Sequence, residues 1–132
     1  MRRLEEGMFV AGQIRPEDVA ELAGRGIRTI VNNRPDGEAP GQPEGEEIRR
    51  AAEQAGIGYA EIPVSRLTGE AVDAMRGTLL EAERPVLAFC AAGTRSTYLW
   101  ALARSGEVPA EELETRAAEA GYDLSPIRAF LT

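Results

Sequence analysis

One short segment carries the residues best suited to chemistry. Cys90 and Arg95 are separated by four residues, and Ser96 follows directly. The four residues between them are small: Ala91, Ala92, Gly93 and Thr94. Such residues let the backbone curl so that successive N–H groups point inward. The planar guanidinium of Arg95 adds a cation that can form bidentate hydrogen bonds, so the segment is suited to bind a small anion. The same field stabilises a thiolate, so we expect Cys90 to be a nucleophile at neutral pH.

The distribution of charge also favours an anionic substrate. The 132 residues include 22 acidic and 15 basic side chains, which gives a net charge of -7. Residues 84–106, in contrast, hold arginines and no acidic residue, and we expect this local excess of positive charge to attract an anion. The negative overall charge argues against nucleic acid or an anionic membrane surface as a partner.

The residue types that are missing exclude whole classes of reaction. Every basic residue is an arginine, so neither a lysine Schiff base nor a histidine base or metal ligand is available. Cys90 is the only cysteine, which excludes an internal disulfide and a cysteine-rich metal site. We therefore expect no metal and no cofactor. The sequence lacks a long apolar stretch and a signal-peptide layout, so we expect a cytoplasmic protein.

Alternating strands and helices position the Cys90 loop. Apolar and β-branched runs predict strands at 7–11, 27–31, 58–62 and 85–89. Periodic segments with terminal Pro, Gly or Thr predict helices at 16–24, 44–55, 68–83, 97–103 and 109–120. A short last helix is predicted from Ser125, and Leu80 of the third helix is predicted to face the core. The continuous apolar run at 85–89 is typical of a parallel sheet covered on both faces. We predict one three-layer α/β domain with a mostly parallel sheet of four to five strands, whose carboxyl edge carries Cys90.

The long loop at 32–45 contributes further candidates, because loops of this length often have a function. Arg34 lies near the end of its strand and would reach the pocket as a second cation. The alternative is a surface arginine that pairs with Asp36 or Glu38. Asp36 has a simple role in the turn Pro35-Asp36-Gly37, although Asp36 or Glu38 would also serve as an acid if the loop folded over the site.

The segment from Cys90 to Ser96 resembles the cysteine-to-arginine loop shared by protein tyrosine phosphatases and rhodaneses. The wider chain is similar to the protein tyrosine phosphatase-like domain of the beta-lactamase-hydrolase-like family. The other matching stretches are residues 10–13, 16–18, 29–38, 62–64 and 121–123. The resemblance implies a fold like that of the dual-specificity phosphatases. It also implies that Cys90 is the nucleophile, that Arg95 clamps the oxyanion, and that the Ser96 hydroxyl hydrogen-bonds the thiolate or helps it leave.

The sequence departs from the tyrosine phosphatase pattern in three ways. Those enzymes usually have five residues between cysteine and arginine, a histidine before the cysteine, and an aspartic acid on a separate loop. Here four residues intervene, Phe89 takes the place of the histidine, and residues 63–67 contain no carboxylate. A six-residue ring is the length that rhodaneses use, and it should enclose a smaller site, which favours a sulfur atom.

Three functional hypotheses remain. We rank first a sulfurtransferase in which Cys90 takes sulfane sulfur from thiosulfate or a persulfide and passes it to an external thiol such as glutathione, because this leaving group needs little help from an acid. The alternative is a phosphatase in which Cys90 attacks a phosphate ester and Asp36 or Glu38 is the acid. The third is a non-catalytic module that binds an anion.

Overall fold

Strands and helices alternate along the chain much as the sequence predicts. The computed structural model describes residues 1–132. Its elements are β1 (Arg2–Glu5), β2 (Met8–Ala11), α1 (Pro16–Gly24), β3 (Thr29–Asn32), α2 (Gly45–Ala55), β4 (Gly58–Glu61), α3 (Gly69–Glu81), β5 (Val86–Phe89), α4 (Thr94–Arg104) and α5 (Ala110–Glu119). A short 3₁₀ helix follows at Ser125–Phe130. No helix has the length and the apolar character needed to cross a membrane.

The five strands form one sheet in the order β1-β2-β5-β3-β4. The last four strands of this order run parallel, whereas β1 pairs antiparallel with β2. Phe89, the last residue of β5, lies between Ala11 at the end of β2 and Asn32 at the end of β3. The residues that follow these three strands are therefore brought together at the carboxyl edge of the sheet.

The side chains of β5 show how the sheet is covered on both faces. Val86 and Ala88 belong to a buried cluster with residues of α3, α4 and α5, and Leu87 and Phe89 to a second cluster with residues of α1 and α2. All four side chains are fully buried. The continuous apolar run thus forms a strand covered by helices on each side, which confirms the three-layer α/β prediction.

Local signals account for several helix ends. α1 begins at Pro16 and ends at Gly24, the bounds that the sequence predicts. α2 is followed by Gly56, whose φ of 74° lies in the left-handed region that glycine adopts without a steric cost. The Thr68 side chain accepts a hydrogen bond of 3.1 Å from the Ala71 amide and so caps α3.

Two details differ from the expectations. The strand β1 was not predicted, because its four residues show no clear alternation and its pairing depends on β2. Leu80 was expected to face the core, but 75% of it is exposed. Leu79, which was also expected to face the core, is buried, since α3 turns only one of these two consecutive residues toward the sheet.

Candidate active site

The carboxyl ends of β2, β3 and β5 surround the sulfur of Cys90. The Cys90 amide donates to the Ala11 carbonyl at 3.4 Å, and the Asn33 amide donates to the Phe89 carbonyl at 2.8 Å. Only 1% of Cys90 is exposed. The nucleophile predicted from the sequence therefore lies at the sheet edge, below the surface and directly before the first turn of α4.

Three successive carbonyls of the Cys90 loop are held away from the sulfur. Their donors are the Gln13 amide for Ala91 (3.2 Å), the Tyr122 hydroxyl for Ala92 (3.1 Å), and the Thr97 amide and hydroxyl for Gly93 (3.0 and 2.8 Å). In a trans peptide the C=O and N–H groups point in opposite directions. Holding the carbonyls outward therefore turns the next three N–H groups toward the inside of the loop.

The inward amides of the ring differ in their partners. The Gly93 amide donates a hydrogen bond of 3.1 Å to Cys90 Sγ. The amides of Ala92 and Thr94 make no hydrogen bond within the protein and are available to an anion. Gly93 has a φ of 89°, a left-handed conformation that allows the loop to turn into α4. The structure thus brings Cys90 and the residues Ala91 to Thr94 into one ring.

Arg95 follows this ring, and its guanidinium is paired with the carboxylate of Glu38. Arg95 Nη1 and Nη2 contact Glu38 Oε2 and Oε1 at 2.7 and 2.9 Å, and Nη1 also donates to the Val64 carbonyl at 2.8 Å. The hydrogen bonds that Arg95 donates to Glu38 raise the pKa of Arg95 against the opposing effect of burial. Carboxylates and phosphates both bind arginine in this bidentate manner, so Glu38 occupies the position on Arg95 that an external oxyanion would use.

Glu38 is firmly ionised in this arrangement. The hydrogen bond from Arg95 and, to a lesser degree, that from Arg34 lower its pKa to about 2 against the opposing effect of burial. Arg34 Nε contacts Glu38 Oε1 at 2.9 Å, and Arg34 Nη1 donates to Gln13 Oε1 at 3.0 Å. Arg34 is thus the predicted partner of Glu38, and its other contact is with Gln13. At neutral pH Glu38 has no proton to give.

Asp36 has a structural role at the start of α2. Its Oδ1 accepts a hydrogen bond of 2.8 Å from the amide of Gly45, the first residue of α2. This contact satisfies one of the free amides at the start of the helix, whereas the sequence suggested a role in the turn Pro35-Asp36-Gly37 or as an acid. The segment 63–67 supplies only the Val64 carbonyl to Arg95, while the exposed Arg66 lines a neighbouring cavity of about 400 Å³.

The Ser96 hydroxyl lies in a buried polar chain. It donates to Asn33 Oδ1 at 2.8 Å, and Asn33 Nδ2 donates to the Ile62 carbonyl at 3.0 Å. Ser96 and Asn33 are both fully buried. The resemblance implied a hydrogen bond from Ser96 to the thiolate, but in the structure the single hydroxyl proton is directed to Asn33. In this state Ser96 ties α4 to the loop after β3.

Only one arginine of residues 84–106 reaches the ring. Arg84 donates to the Glu6 carbonyl, and Arg104 pairs with Glu5 and Glu107. The local excess of positive charge seen in the sequence is therefore spread over the molecule, and Arg95 supplies the part that acts at Cys90. The charge that favours an anion comes from Arg95, Arg34 and the inward amides.

Comparison with known proteins shows the family. Residues 1–107 match the family model of the beta-lactamase hydrolase-like protein, phosphatase-like domain. The chain belongs to this family. A beta-lactamase hydrolase-like protein of Agrobacterium fabrum (strain C58) is 38% identical over 126 residues, which are 92% of this chain. The match covers 29% of the Agrobacterium protein, so the chain spans less than a third of that relative.

Solved structures show the same fold. The crystal structure of nma1982, a candidate phosphatase from Neisseria meningitidis z2491, is 36% identical and has a TM-score of 0.86, with 97% of this chain and 93% of that chain covered. P. aeruginosa TpbA in complex with pTyr is 21% identical with a TM-score of 0.66, covering 96% and 76% of the two chains. The protein tyrosine phosphatase-like fold implied by the Cys90 loop is confirmed.

Sequence reasoning assigned no role to two residues that hold the Cys90 loop. Gln13 and Tyr122 each donate to a carbonyl of the ring. Both lie in stretches that match the family, 10–13 and 121–123, so the resemblance marked their positions without indicating their contacts. Tyr122 is far from Cys90 in sequence, and nothing in its local pattern shows that the chain returns to the ring.

Proposed function

We propose that the protein transfers sulfane sulfur through a persulfide on Cys90. The observation that carries this proposal is the lack of a carboxyl group able to donate a proton at the ring. Glu38 is ionised and held by two arginines, Asp36 is bound to the start of α2, and residues 63–67 hold no acid. A phosphate monoester expels a basic oxygen that needs a proton, whereas sulfite leaves without one.

The proposed first step needs only the groups present at the ring. The Cys90 thiolate attacks the outer sulfur of thiosulfate, a sulfur–sulfur bond forms, and the original sulfur–sulfur bond breaks. Sulfite leaves with the electron pair of that bond, so the total charge is unchanged. In the second step an external thiolate attacks the outer sulfur of the persulfide, which releases the Cys90 thiolate and forms a new persulfide.

The roles of the surrounding residues follow from their contacts. The free amides of Ala92 and Thr94 face the inside of the ring and would hold the donor's oxygens. Arg95 would bind two of those oxygens once Glu38 has moved away. The donor carries two negative charges and Glu38 carries one. The two arginines therefore attract the donor more strongly than they attract Glu38.

A phosphatase is the second candidate, and the comparisons favour it. The family is described as phosphatase-like, and TpbA, a protein of similar fold, has been solved in complex with pTyr. In this case Cys90 attacks phosphorus and a phosphocysteine forms. Glu38 would have to leave both arginines, gain a proton and return as the acid.

The mass of the intact protein after incubation with thiosulfate tests the proposal. We expect the wild type to gain one sulfur atom, which added glutathione removes, and Cys90→Ser to gain none. Hydrolysis of an aryl phosphate by the same preparation tests the second candidate. Phosphate release that depends on Cys90, without a gain of sulfur, would overturn the proposal in favour of a phosphatase. Inactivity in both assays would leave an anion-binding module.

A further inference from the structure

The peptide unit between Ala92 and Gly93 is held at both of its polar ends. Its carbonyl accepts a hydrogen bond of 3.1 Å from the Tyr122 hydroxyl. Its N–H donates a hydrogen bond of 3.1 Å to Cys90 Sγ. This peptide therefore links the phenol of Tyr122 directly to the sulfur of Cys90.

The two hydrogen bonds of this peptide reinforce each other. Resonance couples the C=O and N–H groups of one peptide, so a donor at the oxygen increases the positive charge on the N–H. The planarity of the peptide also fixes the direction of the N–H once the carbonyl is held. A donor at the Ala92 oxygen thus both aims and strengthens the hydrogen bond that reaches the sulfur.

The position of Tyr122 is fixed by the backbone and by close packing. Its amide donates to the Ala117 carbonyl of α5 at 2.8 Å. A Cβ atom on residue 93 would lie 2.1 Å from the Tyr122 hydroxyl oxygen, so the phenol fills the space that glycine leaves free. Burial raises the pKa of Tyr122, so the phenol keeps its proton at neutral pH.

We propose that Tyr122 is a positioning residue for the nucleophile: it holds the Ala92–Gly93 peptide so that the Gly93 N–H stabilises the Cys90 thiolate. Tyr122 lies beyond residues 1–107, the part of the chain that the family model matches. This inference deepens the proposed function, and the importance of Tyr122 to catalysis rests on that function. Its test concerns the thiolate alone and needs no sulfur donor.

Few charged groups face Cys90, so the effect of Tyr122 can be isolated. Arg95 approaches from α4, with Glu38 and Arg34 of the long loop behind it. Arg2 of β1 lies near Tyr122 and lowers its pKa. The segments after β2 and β3 contribute the neutral side chains of Gln13 and Asn33. Replacing the Tyr122 hydroxyl leaves all of these groups in place.

The experiment is the pH profile of Cys90 alkylation in Tyr122→Phe. Iodoacetamide adducts are counted by intact mass from about pH 5 to about pH 10, and the single cysteine makes every adduct a report on Cys90. We expect the midpoint to move to higher pH by about 0.5 to 1 unit, with about a three- to tenfold loss of thiolate below it and an unchanged plateau. Ultraviolet absorbance of the thiolate gives the same midpoint without a reagent.

Tyr98→Phe is the matched control, because Tyr98 lies on α4 and its hydroxyl makes no hydrogen bond in the structure. We expect it to keep the wild-type profile. A wild-type profile in Tyr122→Phe, with or without a lower melting temperature, would overturn the inference. An equal shift in both variants would also overturn it. Failure of the sulfur assay leaves the alkylation result unaffected, so the two proposals fail separately.

Discussion

Glu5 and Glu38 each bridge two arginines, yet their surroundings differ. Glu5 contacts Arg104 Nε at 3.1 Å and Arg116 Nη1 at 2.6 Å, and its Oε2 also accepts a hydrogen bond of 2.9 Å from Trp100 Nε1. Glu38 bridges Arg95 and Arg34. The first cluster joins β1 to α4 and α5, whereas the second joins a long loop to the ring around Cys90.

The exposed fraction of each carboxylate indicates what it can do. The Glu5 side chain is 9% exposed and the Glu38 side chain 26%. Glu5 belongs to the strand β1 and contacts two helices, so it cannot leave its arginines without a shift of the strand. Glu38 lies on an irregular segment at the mouth of the site, and an anion from solvent can take its place. The same arrangement of charges thus joins regular elements of the fold in one region and lies in the candidate site in the other.

Removing the charge of Glu5 is expected to have the largest effect on stability. Glu5→Gln leaves Arg104 and Arg116 without their shared carboxylate, and we expect a loss of about 2 kcal/mol in the free energy of unfolding. Thermal unfolding followed by circular dichroism measures it as a fall in melting temperature of roughly 5 to 8 °C. The reactivity of Cys90 should not change.

Glu112→Gln is the matched control for this prediction, because Glu112 pairs with Arg116 at 2.7 Å but is 49% exposed. We expect a loss below about 1 kcal/mol. Equal losses in the two variants would mean that enclosure adds nothing to the Glu5 cluster.

Removing the charge of Glu38 is expected mainly to change the affinity for the sulfur donor. Glu38→Gln frees the guanidinium of Arg95, and we expect the thiosulfate concentration that half-saturates persulfide formation to fall about tenfold. Initial rates of sulfur gain, measured by mass, give this concentration. If Glu38 is the acid of a phosphatase, the same variant loses aryl phosphate turnover, so the two candidate functions predict opposite signs. Glu53→Gln on the exposed face of α2 is the control.

The smallest effect is the pH dependence of the Glu38 contribution to stability. The pKa of Glu38 falls from 4.5 to about 2 on folding, so its contribution is present above about pH 4.5 and is lost as the pH falls toward 2. We expect the difference in melting temperature between wild type and Glu38→Gln to be constant from neutral pH to about pH 5. The difference should then shrink on further acidification. Its largest value should correspond to at most about 1 kcal/mol in the free energy of unfolding. A difference that closes above pH 5 would contradict the pairing.

Local signals predicted the fold well. The proline and glycine at the ends of α1, the hydroxyl that caps α3 and the continuous apolar run of β5 each act within a few residues, so the sequence displays them. The strand β1 was missed because its pairing depends on β2. Leu80 was misassigned because consecutive leucines leave the phase of the helix open.

The sequence located the candidate nucleophile and its ring at the sheet edge, but it did not reveal that Glu38 occupies Arg95. Cys90 and Arg95 are separated by the length of one loop, and their chemistry follows from that spacing. The contact between Arg95 and Glu38 joins residues far apart in sequence and depends on the path of the long loop. The hydrogen bond from Tyr122 to Ala92 depends in the same way on how α5 packs against the sheet edge.

The burial of Cys90 has a consequence for regioselectivity. A persulfide has two electrophilic sulfurs: attack on the outer one passes the atom on, whereas attack on the inner one releases hydrogen sulfide and leaves a mixed disulfide. Only 1% of Cys90 is exposed, so an acceptor as large as glutathione would meet the outer sulfur of a persulfide before it met Sγ. The outer sulfur of the proposed persulfide extends one bond farther toward the surface. The wall of the ring would therefore direct the acceptor to the productive atom and protect the enzyme from a dead-end adduct.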